Sequence, residues 1–165
     1  MPFMKLDSTA FVAEPDLILI LRQHASPVDC TEDRHLFNTG DDPTGLYVLL
    51  SGEATMILED EDGSQVVRVP MAIGSLLGLS AVIGNKPFSM TAMAKKDARV
   101  GFVTRDDVSA LMITEPGLAL MMLRVLAAEV HSTRKAISDR RTPPHRGRSL
   151  KRKRSLLGFK TRIEN

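Results

Sequence analysis

The sequence predicts a mainly β domain with flanking helices, built as an antiparallel barrel or jelly roll. Short apolar runs between residues 28 and 104 are separated by turns rich in Gly, Asp and Pro, a spacing typical of such folds. After Arg105 the pattern changes, because Asp106 and Asp107 stand where acidic residues favour the start of a helix. The strands are therefore expected to form the body of the domain, with helices beside it.

The elements before this change are one helix and a series of short strands. Residues 11–22 keep helical spacing, with Pro15 and Asp16 as a start signal, and residues 28–37 predict two short strands around a polar turn. The pair Asp62-Gly63, within an acidic stretch, predicts a hairpin turn. The remaining strands are predicted at residues 46–50, 53–58, 65–69 and 98–104, with a further strand-like run that begins at Phe88.

The last part of the folded chain predicts a short helix over residues 107–113 and a long one from Pro116 to about Asp139. In the long helix, apolar residues recur seven apart with others between them, which is the a/d pattern of a seam between two helices. We expect a two-fold homodimer through this seam. The alternative is that the helix packs only against its own barrel. The seam residues are Leu123, Leu126, Val130 and Ile137.

The net charge of +2 conceals an uneven distribution. Residues 140–165 carry ten Lys and Arg against one acid, a net charge of +9, whereas residues 1–139 carry twelve against nineteen, a net charge of −7. Residues 1–139 are predicted as the folded domain, and residues 140–165 as a basic, disordered tail with too few apolar residues to fold alone. The alternatives for the tail are weak, non-specific nucleic-acid contact and folding back onto the acidic residues 59–62.

Several classes of protein are disfavoured by the composition. The single cysteine, Cys30, cannot form an internal disulfide, and with His24 and His35 it makes too small a ligand set, so no metal is expected. No nucleophile motif joins the Ser, His and Asp residues, and we expect no enzyme activity. The chain shows no signal peptide and no apolar run long enough to span a membrane, so a cytoplasmic location without membrane partners is expected.

The stretch from Gly74 to Ala94 carries the main functional signal. Gly74 and Gly78 are four residues apart and lead into a short apolar segment, which ends at a Gly-Asn-Lys-Pro breaker. A glycine-led turn that enters a short helix directs free backbone N–H groups towards one point, an arrangement suited to an anion. The side chains around it are nonetheless apolar or small, without the charged groups that would bind a phosphate.

Residues 36–79 contain a specific pattern: Leu-Phe-Asn-Thr-Gly-Asp at 36–41, Leu-Tyr-Val-Leu-Leu-Ser-Gly at 46–52, and glycines at 74 and 78. The pattern resembles the cyclic-nucleotide-binding domain of the catabolite activator and fumarate–nitrate regulator (Crp/Fnr) superfamily, over about residues 16–139. The resemblance implies an eight-stranded antiparallel jelly roll (double-stranded β-helix) followed by a long C-terminal helix, the dimer interface in that family. It also implies a regulatory domain that senses a small ligand.

Two positions of the family's phosphate-binding cassette differ in this chain. The Glu that takes the ribose hydroxyl corresponds to Leu79, and the Arg that pairs with the cyclic phosphate corresponds to Phe88, followed by the small polar Ser89. Leu accepts no hydrogen bond and Phe donates none, and each lost charge-assisted bond costs about 1.5–3 kcal/mol. A cyclic nucleotide is therefore an unlikely cofactor here: we expect cyclic AMP and cyclic GMP to bind weakly or not at all.

The resemblance also implies what should follow the long helix. Relatives that regulate transcription carry a helix-turn-helix domain there, whose recognition helix is held by further packed helices. Residues 140–165 are rich in Pro, Gly, Arg and Lys and lack the apolar periodicity of such helices. We therefore expect the DNA-reading module to be absent, and the sensor domain to stand alone.

Three interpretations of the cassette remain open. Its apolar side chains fill the barrel and leave no room for a ligand, or they line a site for an apolar or weakly polar ligand, or backbone donors alone hold a cyclic nucleotide. We expect a sensor of an unknown small ligand that signals through dimer geometry; the alternatives are a ligand-free interaction scaffold and a truncated regulator whose tail contacts nucleic acid. The candidate ligand-binding residues are Gly74, Leu77, Gly78, Leu79, Ser80, Ala81, Phe88, Ser89 and Met90.

Overall fold

Eight antiparallel strands in two four-stranded sheets form the body of the domain. The computed structural model describes residues 4–141. The sheets have the strand orders β1-β8-β3-β6 and β2-β7-β4-β5, which confirms the mainly β jelly roll. The strands are β1 (Ser26–Val28), β2 (Arg34–Phe37), β3 (Gly45–Ser51), β4 (Ala54–Glu59), β5 (Gln65–Pro70), β6 (Leu76–Leu77), β7 (Thr91–Ala94) and β8 (Arg99–Thr104).

One 3-10 helix and four α-helices flank the sheets: the 3-10 helix (Ser8–Phe11), α1 (Pro15–His24), α2 (Leu79–Gly84), α3 (Arg105–Thr114) and α4 (Pro116–Arg141). The first α-helix was predicted over residues 11–22, and that start is wrong. Phe11 closes the 3-10 helix, whose first turn is capped by the Asp7 carboxylate, which accepts from the Thr9 N–H at 2.9 Å. The α-helix begins at Pro15 because its fixed φ suits the first helical position.

The apolar side chains form two buried clusters. One draws on both sheets and includes Phe37, Leu49 and Val69. The other packs helices α1, α3 and α4 against strands β3, β6 and β8, with Leu17 of α1 and Met122 of α4 fully buried. Full burial of such a side chain stabilises the fold by about 1.5–3 kcal/mol. Loss of the helical layer would therefore uncover one face of the jelly roll.

Helix α4 follows the long helix predicted from Pro116 and turns one face towards the domain. Its buried positions are three, four or seven residues apart, spacings that keep them on one face of an α-helix. Arg124 forms a 2.9 Å ion pair with Glu14 ahead of α1, and the Ser132 hydroxyl oxygen accepts a 2.9 Å hydrogen bond from the Asp7 N–H. These contacts hold α4 against the N-terminal segment. The buried positions are Leu118, Met122, Val125, Ser132 and Ala136.

The predicted basic tail lies outside the described residues from residue 142 onwards. Across residues 4–141, no single helix is long and apolar enough to cross a bilayer, although α3 and α4, bent by 119°, satisfy the length and composition criteria as a pair.

Candidate functional site

The cassette turn takes the conformation that its glycines predict. Gly78 precedes α2 with a φ of +86°, in the left-handed region that favours glycine. Space gives a second reason for glycine, because a Cβ at this position would lie 2.6 Å from Cε1 of Phe88. Helix α2 is only six residues long, and Asn85, which follows its last residue, is also in the left-handed region. The turn is therefore shaped around the Phe88 ring.

Phe88 lies in an aromatic stack at this turn. Its ring is parallel to that of Phe37, with centroids 3.8 Å apart and an angle of 12° between the planes. Both rings are buried, and Tyr47 packs against Phe37 with centroids 5.8 Å apart. The Tyr47 hydroxyl donates to the Leu36 carbonyl oxygen at 2.9 Å, which satisfies its polar end. An apolar stack thus occupies the position that the family resemblance assigns to a phosphate-binding Arg.

The backbone of Phe88 is held by the Gly-Asp turn between β2 and β3. The Gly40 N–H donates to the Phe88 carbonyl oxygen at 2.8 Å, and the Phe88 N–H donates to the Asp41 carbonyl oxygen at 3.0 Å. The Asp41 carboxylate closes the turn by accepting from the Asn38 N–H at 2.9 Å. The sequence pattern at residues 38–41 is therefore explained by its contact with the cassette.

A cavity of about 390 Å³ lies where the cassette, β4, the N-terminal segment and α4 meet. A narrow inner recess of about 20 Å³ shares six of its lining residues and reaches the Phe37–Phe88 stack. The walls are apolar apart from a few hydroxyls and two charged side chains. The cavity is lined by Leu6, Phe11, Met56, Ser80, Ser89, Met90, Glu129, Val130, Thr133 and Arg134.

Glu129 of α4 is the charged residue that faces both the cavity and its inner recess. Burial raises the pKa of its carboxyl group from 4.5 to about 7, because the charged form loses hydration. Among residues 4–141, desolvation is the only influence on this pKa, with no hydrogen bond or neighbouring charge beside it, and the carboxylate oxygens still reach solvent. The Thr133 hydroxyl donates instead to the backbone carbonyl oxygen of Glu129, at 2.9 Å. The site therefore contains a partly buried acid without a partner.

The structure brings six of the nine candidate residues to this place. Gly78, Ser80, Ala81, Phe88, Ser89 and Met90 line the inner recess, and Ser80, Ser89 and Met90 also line the larger cavity. Leu77 and Leu79 are fully buried and belong to different core clusters. Gly74 lies against Ile18 of α1.

Sequence reasoning missed Glu129. It lies on α4 between Val125 and Ser132, four residues after one buried position and three before the next. A charged residue at core spacing in an otherwise buried stripe is the signal that would have identified it. Sequence reasoning also missed Thr133 and Arg134 of α4. It missed four residues from distant segments that carry no local signal: Leu6, Phe11, Phe37 and Met56.

Three of the four predicted seam residues lie on the exposed face of α4. Leu123, Val130 and Ile137 are 52%, 50% and 40% exposed, whereas Leu126 is partly buried against the helical cluster. Val130 also lines the cavity, so it belongs to both surfaces. Among residues 4–141, no group of His, Cys, Asp and Glu side chains has the arrangement of a metal site.

Known proteins resemble the chain in sequence and in fold. The family model for the cyclic nucleotide-binding domain matches residues 27–115. A CRP-like cAMP-activated global transcriptional regulator of Mycobacterium tuberculosis is 24% identical over 126 residues, which are 76% of this chain and 56% of that protein. The chain thus spans little more than half the length of the curated relatives that it matches.

Solved structures share the fold. The catabolite activator protein of Thermus thermophilus superposes with a TM-score of 0.67 at 19% identity, over 76% of this chain and 59% of that one. The N-terminal domain of a transcriptional regulator from Streptomyces coelicolor gives 0.58 at 22% identity, over 83% and 94%. Oxidized CprK in complex with o-chlorophenolacetic acid gives 0.64 at 15% identity, over 79% and 54%. Because the family model matches more than half of its residues, the chain belongs to the cyclic nucleotide-binding domain family.

Proposed function

We propose that this chain is a regulatory sensor domain whose cavity beside α4 binds a small ligand other than cyclic AMP or cyclic GMP. The observation that carries the proposal is the Phe37–Phe88 stack against Gly78, with centroids 3.8 Å apart. A planar Arg matches a phosphate with two parallel donors, and a stacked phenyl ring supplies none. Moving the ring aside would also expose apolar surface that the fold now buries.

The charge of the cavity supports the same conclusion. Glu129 is the acid at the inner recess, and its ionised form would repel an anionic cyclic phosphate. The volume of about 390 Å³ falls within the range of about 300–1,000 Å³ of small-molecule sites. The solved CprK complex, with its aromatic acid ligand, supports the view that this fold can hold molecules other than nucleotides.

Signalling would pass through α4. Val130 lines the cavity and is half exposed on the outer face, beside the exposed Leu123 and Ile137. We propose that two copies pair through this face as a homodimer, so that a ligand touching Val130 biases the geometry of the pair. The exposed apolar stripe also favours a second candidate function, a ligand-free scaffold that binds a protein partner through α4.

Titration calorimetry with cyclic AMP and cyclic GMP tests the exclusion of nucleotides. We expect no micromolar binding by the native protein, and partial recovery in a variant with Leu79→Glu and Phe88→Arg. Because Leu79 is fully buried, Phe88→Arg alone should accompany the double variant, with Phe88→Leu as the apolar control. Micromolar binding by the native protein would refute the reasoning from the aromatic stack.

A melting-temperature screen against lipids, haem and small organic molecules separates the sensor from the scaffold. A ligand that binds only the folded state raises the melting temperature by mass action. If the domain is a sensor, a ligand that raises the melting temperature also changes the geometry of the dimer. If the dimer responds to none of the compounds, the scaffold is supported.

A further inference from the structure

We infer that the cavity of this proposed sensor takes an organic cation with an apolar body, and that the Glu129 carboxylate binds the ammonium group of that ligand. The inference rests on the proposed function and adds the chemical class of the ligand.

The geometry places a hydrogen-bond acceptor, the carboxylate of Glu129, at the inner end of a largely apolar cavity. Glu129 lines both the inner recess and the wider cavity, next to Phe11 and Met56. Within residues 4–141, no hydrogen bond or neighbouring charge contributes to the raised pKa of its carboxyl group, whose oxygens reach the solvent of the cavity. A partly buried carboxylate without a partner is costly, and a ligand donor would remove that cost.

The polar groups around Glu129 also suit a donor ligand. Two serines, Ser80 and Ser89, line both the cavity and its recess. The Thr133 hydroxyl already donates its proton to the Glu129 carbonyl oxygen at 2.9 Å, so its lone pairs remain to accept. An ammonium group has three donors and no acceptor, which matches a carboxylate flanked by hydroxyl oxygens. A ligand carboxylate or phosphate would face the like charge of Glu129.

Whether the cavity favours a cation or an anion depends on the positions of its two charged residues, Glu129 and Arg134. Arg134 lines the outer cavity but not the inner recess, and its side chain is exposed, so water screens it. Among the described residues that line the recess, Glu129 alone carries a charge. The inner end is therefore negative whenever this carboxyl group is ionised. The walls of Leu6, Phe11, Met56 and Met90 would hold the apolar body.

The test uses scaffolds that each carry an amine, an alcohol or a carboxylate. We name two sets: tryptamine, tryptophol and indole-3-acetate; and 2-phenylethylamine, 2-phenylethanol and phenylacetate. Binding is measured by titration calorimetry on the full chain at about pH 8, where Glu129 is mostly ionised, since its pKa is about 7. We expect an amine to bind at least about tenfold more tightly than the alcohol of the same shape, because its bond to the carboxylate is charge-assisted.

Glu129→Gln keeps the shape of the side chain and removes its charge, so it should abolish the preference for the amine. Glu115→Gln, an exposed acid at the junction of α3 and α4, is the matched control and should keep the preference. Circular dichroism checks that both variants are folded. Alcohols or carboxylates that bind as tightly as amines, or a preference that survives in Glu129→Gln, would overturn this inference alone. Binding of no compound from either set would overturn the proposed ligand cavity with it.

Discussion

Replacing Glu129 by Gln should stabilise the domain in neutral and alkaline solution and change its stability little in acid. Burial raises the pKa of this carboxyl group from 4.5 to about 7, since the charged form loses hydration. Between these two values the folded protein keeps a proton that the unfolded chain has released. The free energy of unfolding therefore falls as the pH rises from about 4.5 to about 7, and it stays lower above that range. Gln has no charge to desolvate and avoids this loss.

The size of the effect follows from the two pKa values. At 1.36 kcal/mol per pH unit, the interval from 4.5 to about 7 corresponds to about 3 kcal/mol. Glu129 is partly exposed to the cavity, where water lowers the cost of the charge. We therefore expect a gain of about 1–3 kcal/mol for Glu129→Gln above pH 7 and a gain near zero at about pH 4.

Urea unfolding at about pH 4 and pH 8 measures both quantities, at one protein concentration, because association would add to the apparent stability. Glu61→Gln, in the exposed turn between β4 and β5, controls for the loss of one negative charge from an acidic body. An equal gain for Glu129→Gln at both pH values, or no gain at pH 8, would show that desolvation of this carboxyl group does not control the stability.

Two further predictions concern α4 and the cassette turn. Leu123→Lys together with Ile137→Lys should abolish the proposed dimer, because it places charges in the interface. The monomer should stay folded, since both residues are exposed. A double variant that still sediments as a dimer would contradict the proposal. Gly78→Ala should destabilise the domain by about 1–3 kcal/mol more than Gly63→Ala, as measured by denaturant titration. Both glycines have a positive φ, but only at Gly78 would the added Cβ lie 2.6 Å from an aromatic ring. In a Phe88→Ala background the two glycine substitutions should cost the same.

The positions of most strands along the chain were predictable because the turns between them are specified by local chemistry. In the acidic hairpin, the Asp60 carboxylate accepts from the Asp62 and Ser64 N–H groups at 3.1 and 2.9 Å, so neighbouring residues suffice to build the turn. Strand β6 escaped prediction because it has only two residues, and two residues carry no periodicity. Its existence depends on pairing with Tyr47 and Val48 of β3.

The candidate site was less predictable because its parts are set by long-range packing. A Glu on a helix normally faces water, and Glu129 faces a cavity only because Leu6 and Phe11 from the N-terminal segment pack across α4. Comparison with the family gave the position of Phe88. It could not reveal that Phe37, from another strand, stacks on that ring, nor that Leu79 belongs to the helical core instead of the cavity.

The hydrogen bonds that hold position 88 involve no side-chain atom of that residue. Its N–H and carbonyl groups bond to the backbone of Asp41 and Gly40, at 3.0 and 2.8 Å. The backbone at position 88 is thus held by main-chain bonds, whereas its side chain is restricted by burial against Phe37 and Gly78. A guanidinium at this position would keep both main-chain bonds, but it would place a charge among apolar side chains that the fold buries. The main-chain bonds and the side chain at position 88 therefore constrain the chain separately: the bonds fix the path of the backbone, and the side chain fixes the chemistry of the inner recess.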